Sequence, residues 1–224
     1  MKENVFPRVL KDTLPVMTGY LVLGMGFGMV MDHAGFSFWW SVAMSVFIYA
    51  GSMQYAGVGL LTGGASLITV ALTTLAVNAR HLFYGISMTE AYKGTGWRKP
   101  YLIFALTDET YSLVCTGEKS SRYMFWVSLL DHVYWVAGTA LGALMGKTLP
   151  INTTGVDFAL TALFITVFVD QWLKKKDHFP AIAGVVLSIL CLLLLGPEKF
   201  LIPAMALILA ALLIKGKAGT GKHE

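Results

Sequence analysis

Charge is what this chain has least of. Only 13% of its 224 residues are Asp, Glu, Lys or Arg, against about 25% in an ordinary soluble domain. So few charges cannot cover a water-facing surface. With 56% hydrophobic residues and a mean hydropathy of +0.65, the chain reads as a polytopic membrane protein. Cysteine is nearly missing too. Cys115 and Cys191 both fall inside apolar stretches, which argues against a disulfide framework or a cysteine-bound metal cluster. The net charge of +4 does not point to nucleic acid, because the basic residues lie at the ends and in loops between apolar runs. That is the distribution membrane orientation produces. Gly24, Gly26 and Gly28 loosely mimic a phosphate-binding loop, but no strand precedes them and no capped helix follows. There is no recognisable Ser/His/Asp set and no metal-ligand pair at helical spacing. Asp131 and His132 are neighbours in sequence and so face apart on a helix. The chain is therefore not expected to be an enzyme, and it needs no cofactor.

What the sequence does have is apolar segments, at 14–31, 36–61, 66–88, 101–116, 122–145, 155–173, 178–195 and 200–214. They predict an all-α fold, a polytopic transmembrane helical bundle of about seven or eight hydrophobic segments, some broken or re-entrant. This would be a single transmembrane domain over 1–214, followed by a short, basic, disordered cytoplasmic tail over 215–224. Lys2, Arg8 and Lys11 ahead of the first run resemble a signal peptide. No small-residue cleavage site follows Met31, so an uncleaved first span is expected.

Eight plain spans would put the basic loop of Lys93, Arg98 and Lys99 on the outer side, against the positive-inside rule. If instead the segments holding Gly51–Gln54 and Asp108–Glu109 dip in and return, nearly all Lys and Arg gather on the cytoplasmic side. Non-helical backbone at depth is tolerated where it lines a cavity. Small-residue spacing at Gly24/Gly28, Gly59/Gly63 and Gly138/Gly142/Gly146 predicts faces on which helices approach closely. Trp39, Trp40, Trp126 and Trp172 sit near segment ends, as interfacial anchors do.

The polar residues inside these runs are the candidate site. Arg80 lies well within the third segment, where an arginine costs roughly 2.5–3.5 kcal/mol even on the lenient insertion scale. It marks either a buried polar site or a snorkelling or structural cation. His81 beside it faces elsewhere. Asp131, Trp135, Gly138 and Gly142 share one helical face, so Asp131 points at a neighbouring helix, either as a partner for Arg80 or as part of a site. His132 is about 100° away on the same helix. Asp108 shares a face with Phe104, Tyr111, Ser112 and Cys115, a lining suited to a solvated cavity, and Glu109 follows it. The run from Tyr49 to Gly57 reads as a helix break. Ser52, Gln54 and the exposed N–H groups of a half-helix starting there suit a carboxylate. The other reading is a kinked continuous helix with Gln54 bridging helices.

Three of these stretches, Ile48-Tyr-Ala-Gly-Ser-Met-Gln-Tyr-Ala56, Val77-Asn-Ala-Arg-His-Leu-Phe-Tyr-Gly85 and Leu106-Thr-Asp-Glu-Thr110, resemble the signature segments of the AzlC family in order and spacing. The hydrophobic profile agrees over essentially the whole chain. Tyr55 stands where the family pattern has phenylalanine. The resemblance implies the large subunit of a bacterial branched-chain amino acid exporter in the cell (inner) membrane, working with a small AzlD-type membrane subunit. It marks Gly51, Ser52, Gln54, Asn78, Arg80, His81, Asp108 and Glu109 as motif positions, while Asp131 and Trp135 rest on the helical-face argument alone. On this reading Gly51, Ser52, Gln54, Asn78 and Arg80 bind substrate. His81, Asp108, Glu109 and Asp131 form a proton-coupling or polar network, with Asp108 the first choice for the proton-linked acid. Arg80 and the half-helix would take the substrate carboxylate, Asp108 or Asp131 the ammonium, and Met53, Phe83 and Tyr84 the apolar side chain. The rival readings are a non-transporting scaffold or sensor subunit, and a selective channel. With no nucleotide-binding motif, a proton gradient or the membrane potential is the expected energy source.

Overall fold

The computed structural model describes residues 5–116, 120–148, 165, 168–169, 172–173, 177–196 and 200–220. Its described elements are ten α-helices and one short 3-10 turn. They fall in two compact units, Met1–Leu160 and Thr161–Glu224.

The first unit is built on α1 (Phe6–His33) and α8 (Ser121–Thr148). Each has 28 residues, about 42 Å of helix, enough to cross a hydrocarbon core of ~30 Å. Pro7 opens α1, where its missing N–H costs nothing. The two helices run parallel: Phe6 meets Trp126, Tyr20 meets Trp135, and Asp32 meets Gly146. Their glycines touch backbone to backbone. A Cβ on Gly28 would come 2.2 Å from the Thr139 carbonyl oxygen, and one on Gly142 would come 2.0 Å from that of Met25. Gly24 and Gly138 are somewhat less tight, each 2.8 Å by the same measure from the carbonyl oxygens of Trp135 and Leu21. The expected small-residue faces at Gly24/Gly28 and Gly138/Gly142 thus pack on each other. Gly59 meets no described atom within 4 Å, so the Gly59/Gly63 spacing does not form such a face among the described residues.

The other hydrophobic runs of this unit are split into shorter helices. They are α2 (Phe38–Phe47), α3 (Gly51–Thr62), α4 (Leu67–Asn78), α5 (Arg80–Met88), α6 (Lys99–Phe104) and α7 (Asp108–Thr116). The expected breaks near Gly51 and Asp108 are present. Tyr49, at φ +47°, is the single non-glycine described residue with positive φ, and it ends α2. A bulky residue held there stores strain. At the second break, the Thr107 hydroxyl caps α7 by accepting from the Thr110 N–H at 3.3 Å. A third break was not expected: the segment 66–88 bends by 49° between α4 and α5, at Ala79.

Two of these split segments double back. Going down α2 from the His33 end of α1, Ser45 reaches Thr139 in the middle of α8. Gly51 then meets Trp135, Tyr55 bonds the Leu23 carbonyl, and Gly57 lies back against Met44. α2 and α3 therefore form a hairpin entering from the end where α1 finishes. α6 and α7 form the opposite hairpin. Arg98 bonds Ser121 and Trp97 packs on Phe125, so this hairpin starts beside the N-terminus of α8. Thr110 reaches Asp131 at mid-helix, and Val114 returns to a core shared with Val9, Tyr123 and Val127. Met88 and Tyr92 belong to that same core, so the basic loop after α5 lies at the N-terminal end of α1 and α8.

Two described helices, Phe6–His33 and Ser121–Lys147, are each long and apolar enough to span a membrane, and the bent α4–α5 pair adds a third. The expected tally of seven or eight segments is not matched as full spans, because 36–61 and 101–116 are divided into short helices. The first span starts at Phe6, earlier than the hydropathy boundary at Leu14. The sixth segment, 155–173, falls mostly outside the described residues. In the second unit, α9 (Phe179–Leu195) packs on α10 (Leu201–Thr220). The tail from Lys215, expected to be disordered, continues α10 as helix through Thr220. Lys215 Nζ donates to Asp177, which holds that exposed carboxyl below the usual carboxylate range.

Candidate functional site

The three split segments begin again at Gly51, Arg80 and Asp108, and these helix starts converge. Arg80 Nη1 lies 2.7 Å from Asp108 Oδ2, and Arg80 Nη2 donates to Ser52 Oγ at 2.8 Å. One guanidinium thus joins the first turns of α3, α5 and α7. The pair is neither sealed nor on the surface: the Arg80 side chain is 29% exposed and that of Asp108 23%. Asp131 was one expected partner for Arg80. It accepts instead from Thr110 Oγ1 at 2.8 Å and is fully buried. The bend at Ala79 turns Arg80 toward the tips of the two hairpins, and the acid at the start of α7 is the one it reaches.

A cavity of about 540 Å³ lies beside these tips, lined by Tyr49, Ala50, Asn78, His81, Lys99 and Phe104. Its size is within the ~300–1,000 Å³ of small-molecule pockets. Asn78 Oδ1 is buried without a partner among the described residues. The His81 ring is tied through Nδ1 to the Asn78 carbonyl at 3.1 Å. Neither Phe83 nor Tyr84 lines this cavity; Tyr84 stacks on Tyr111 instead, with centroids 4.5 Å apart.

Gln54 is fully buried, and both ends of its amide are engaged. Nε2 donates to Ser45 Oγ at 3.0 Å, and Oε1 accepts from Trp135 Nε1 at 3.0 Å. It ties α3 to α2 and α8, while the helix is also broken just before it. The helix is therefore broken and not continuous, as the first sequence reading has it, and from the second only the bridging by Gln54 is found. Gly51 packs closely here: a Cβ would come 3.0 Å from the Trp135 ring, which would have to give by a few tenths of an ångström.

His132 is held through both ring nitrogens. Its Nε2 donates to the Ser45 carbonyl at 3.2 Å, its Nδ1 accepts from the Tyr101 hydroxyl at 3.1 Å, and Tyr49 lies over it with centroids 4.3 Å apart. Glu109 accepts from the Tyr20 hydroxyl at 2.7 Å. Tyr20 also bonds Thr107 Oγ1 at 2.6 Å. Sequence reasoning missed Tyr20, Tyr49, Thr107 and Thr110, since hydroxyls inside apolar runs carry no periodic signal. The Thr-Asp-Glu-Thr spacing was the one available hint, because it places a cap and a first-turn hydroxyl around the two acids. Among the described residues no group of three or more His, Cys, Asp or Glu is placed to hold a metal ion.

The family model described as AzlC protein matches residues 15–149. The chain is 44% identical to the branched-chain amino acid transport protein AzlC of Bacillus subtilis, over 95% of this chain and 85% of that protein. It is 39% identical to an uncharacterized membrane protein of Helicobacter pylori, over 93% of this chain and 96% of the relative. It is 31% identical to the inner membrane protein YgaZ of Escherichia coli, over 77% of this chain and 75% of that protein. No solved structure matches it. The chain belongs to the AzlC family.

Proposed function

We propose that this AzlC-family chain is a multi-pass inner-membrane permease subunit that exports branched-chain or similar apolar amino acids. It works together with a small AzlD-type membrane subunit and is driven by the proton gradient or the membrane potential. The observation that carries this reading is the meeting of three helix starts at the Arg80–Asp108 pair; the cavity of about 540 Å³ is lined not by that pair but by its chain neighbours, among them Ala50 and His81. A zwitterionic substrate carries a carboxylate and an ammonium close together. An arginine and an aspartate that neutralise each other while empty can exchange their mutual bond for one bond each to such a ligand. Arg80 offers the planar fork that matches a carboxylate, helped by Ser52 and the positive first turn of α3. Asp108 takes the ammonium, and the apolar side chain enters the cavity past Tyr49 and Phe104. Asn78 and His81 line that cavity and orient the substrate. Gly51 and Gln54 hold the α3 start in place rather than touching substrate.

The similarity to the B. subtilis branched-chain amino acid transport protein supports the substrate class. The charge distribution supports the topology, with the loop at Lys93 to Lys99 cytoplasmic. The membrane potential supplies about 2.3 kcal/mol per charge per 100 mV. With Asp108 occupied by Arg80, the proton-linked role passes to Glu109 and Asp131. The test is uptake of labelled valine into vesicles that hold the chain and its small companion, with Arg80→Ala as the control. Saturable uptake that the control lacks is expected. Uptake that Arg80→Ala leaves intact would move the site elsewhere.

A further inference from the structure

Glu109 and Asp131 are joined by an unbroken row of hydroxyls. Glu109 Oε2 lies 2.7 Å from Tyr20 Oη, Tyr20 Oη 2.6 Å from Thr107 Oγ1, Thr107 Oγ1 3.0 Å from Thr110 Oγ1, and Thr110 Oγ1 2.8 Å from Asp131 Oδ2. The row has five oxygens and four hydrogen bonds, but its hydroxyls bring only three hydrogens. Were both carboxyls ionised, two oxygens 3.0 Å apart or less would face each other with no hydrogen between them. The fourth hydrogen has to come from a carboxyl.

We propose that Glu109, Tyr20, Thr107, Thr110 and Asp131 form a proton relay that holds one proton between two carboxyls and passes it from one to the other. With the proton on Glu109, every hydroxyl donates toward Asp131; with it on Asp131, every hydroxyl donates toward Glu109. Moving from one state to the other breaks one O–H bond and forms one at each step, and ends with one proton transferred and three hydroxyls reversed. Nothing else is consumed. The Thr110 N–H fits both states, since Thr107 Oγ1 keeps a lone pair for it at 3.3 Å in each.

The row connects unlike surroundings. Glu109 is partly exposed and next in sequence to Asp108, the acid paired with Arg80. Asp131 is fully buried, and its Oδ1 has no partner among the described residues. Other ionisable groups face the row from neighbouring elements. Tyr49 of the α2–α3 tip has its ring 6.5 Å from that of Tyr20, and Tyr101 of α6 bonds His132, the residue after Asp131. Three α-helices contribute, α1 through Tyr20, α7 through Glu109 and Thr110, and α8 through Asp131, with Thr107 capping α7. A shift of the α6–α7 hairpin when substrate parts Arg80 from Asp108 would open or close the row, which links the proton to the zwitterion site. That link rests on the export reading above.

Two measurements test the relay. The first uses purified full-length protein and reads the infrared C=O stretch of a protonated carboxyl at neutral pH, identified by its shift in deuterated water. Wild type should show it. Both Glu109→Gln and Asp131→Asn should lose it, because an amide N–H at either end supplies the fourth hydrogen and leaves the remaining carboxyl ionised. A band absent from wild type, or surviving in either variant, overturns the shared proton. The second uses vesicles with the companion subunit. Tyr20→Phe keeps the ring and severs the row, so proton-driven valine accumulation should fall about tenfold or more while valine-for-valine exchange persists. Unchanged accumulation overturns the relay. If wild-type vesicles move no valine, the export reading fails and the infrared result alone decides the relay.

Discussion

Arg80 and Asp108 meet at 2.7 Å although each stands in the first turn of a different short helix, and both breaks that create those turns lie at the depth where α1 and α8 pass their midpoints. The pair is therefore assembled by interruptions in the helices, and each partner depends on the other. Arg80→Lys keeps the charge but loses the fork, so transport should drop at least about tenfold while the protein still inserts. A partly exposed pair is worth between the ~0–1 kcal/mol of a surface bridge and the ~3–5 kcal/mol lost on breaking a buried one. Thermal unfolding in detergent, run beside the transport assay, separates the two effects. Normal transport by a well-folded Arg80→Ala protein would make the arginine structural.

Close approach of α1 to α8 leads to a sharp contrast among glycines. Gly142→Ala would drive a methyl into the Met25 carbonyl, and Gly28→Ala one into that of Thr139. Each should destabilise by ~1–3 kcal/mol as overpacking does. Gly59→Ala meets nothing within 4 Å and should be neutral or gain up to ~1 kcal/mol from helix propensity. Equal melting temperatures for the three variants would argue against the glycine seam.

Gln54 gives a test of bridging against binding. Gln54→Leu strands the Trp135 N–H in a buried place, while the Ser45 hydroxyl keeps Thr139 as its partner, and should cost ~1–3 kcal/mol. The half-saturating valine concentration of the surviving folded protein should stay near wild type. A large rise in that concentration without loss of stability would return Gln54 to the substrate site.

The hairpin topology predicts opposite labelling for two exposed positions. Thr62, at the end of α3, lies at the end where α1 finishes, whereas Lys93 lies at the end where α1 begins. In a background lacking Cys115 and Cys191, Thr62→Cys should react with an impermeant thiol reagent added outside intact cells. Lys93→Cys should react only after the cells are permeabilised. Thr95, although in the same loop, is 6% exposed and a poor reporter. Outside labelling of Lys93→Cys would reinstate plain spans.

Much of this arrangement was readable in the chain. Gly51 and the Thr107-Asp108-Glu109 turn announced their breaks through glycine, hydroxyl and acid placed in apolar runs. Trp135, Gly138 and Gly142 fixed the buried face of α8 and put Asp131 on it. The bend at Ala79 was not readable, because alanine is a strong helix former and the cause is tertiary: Arg80 is held by Ser52 and Asp108 from two other segments. The choice of Asp108 over Asp131 as partner likewise depends on which hairpin tip reaches the arginine. Tyr20, Thr107 and Thr110 acquire meaning only when α1, the start of α7 and α8 are brought together, since each is an ordinary hydroxyl in its own segment.

The most direct measurement is accumulation of labelled valine in inside-out vesicles containing the chain and its small companion, with a pH gradient imposed across the membrane. Saturable accumulation against a valine gradient, collapsed by a protonophore and lost in Arg80→Ala, is the predicted result. No flux at all, or flux that neither saturates nor responds to the pH gradient, would contradict a proton-coupled exporter built around Arg80 and Asp108.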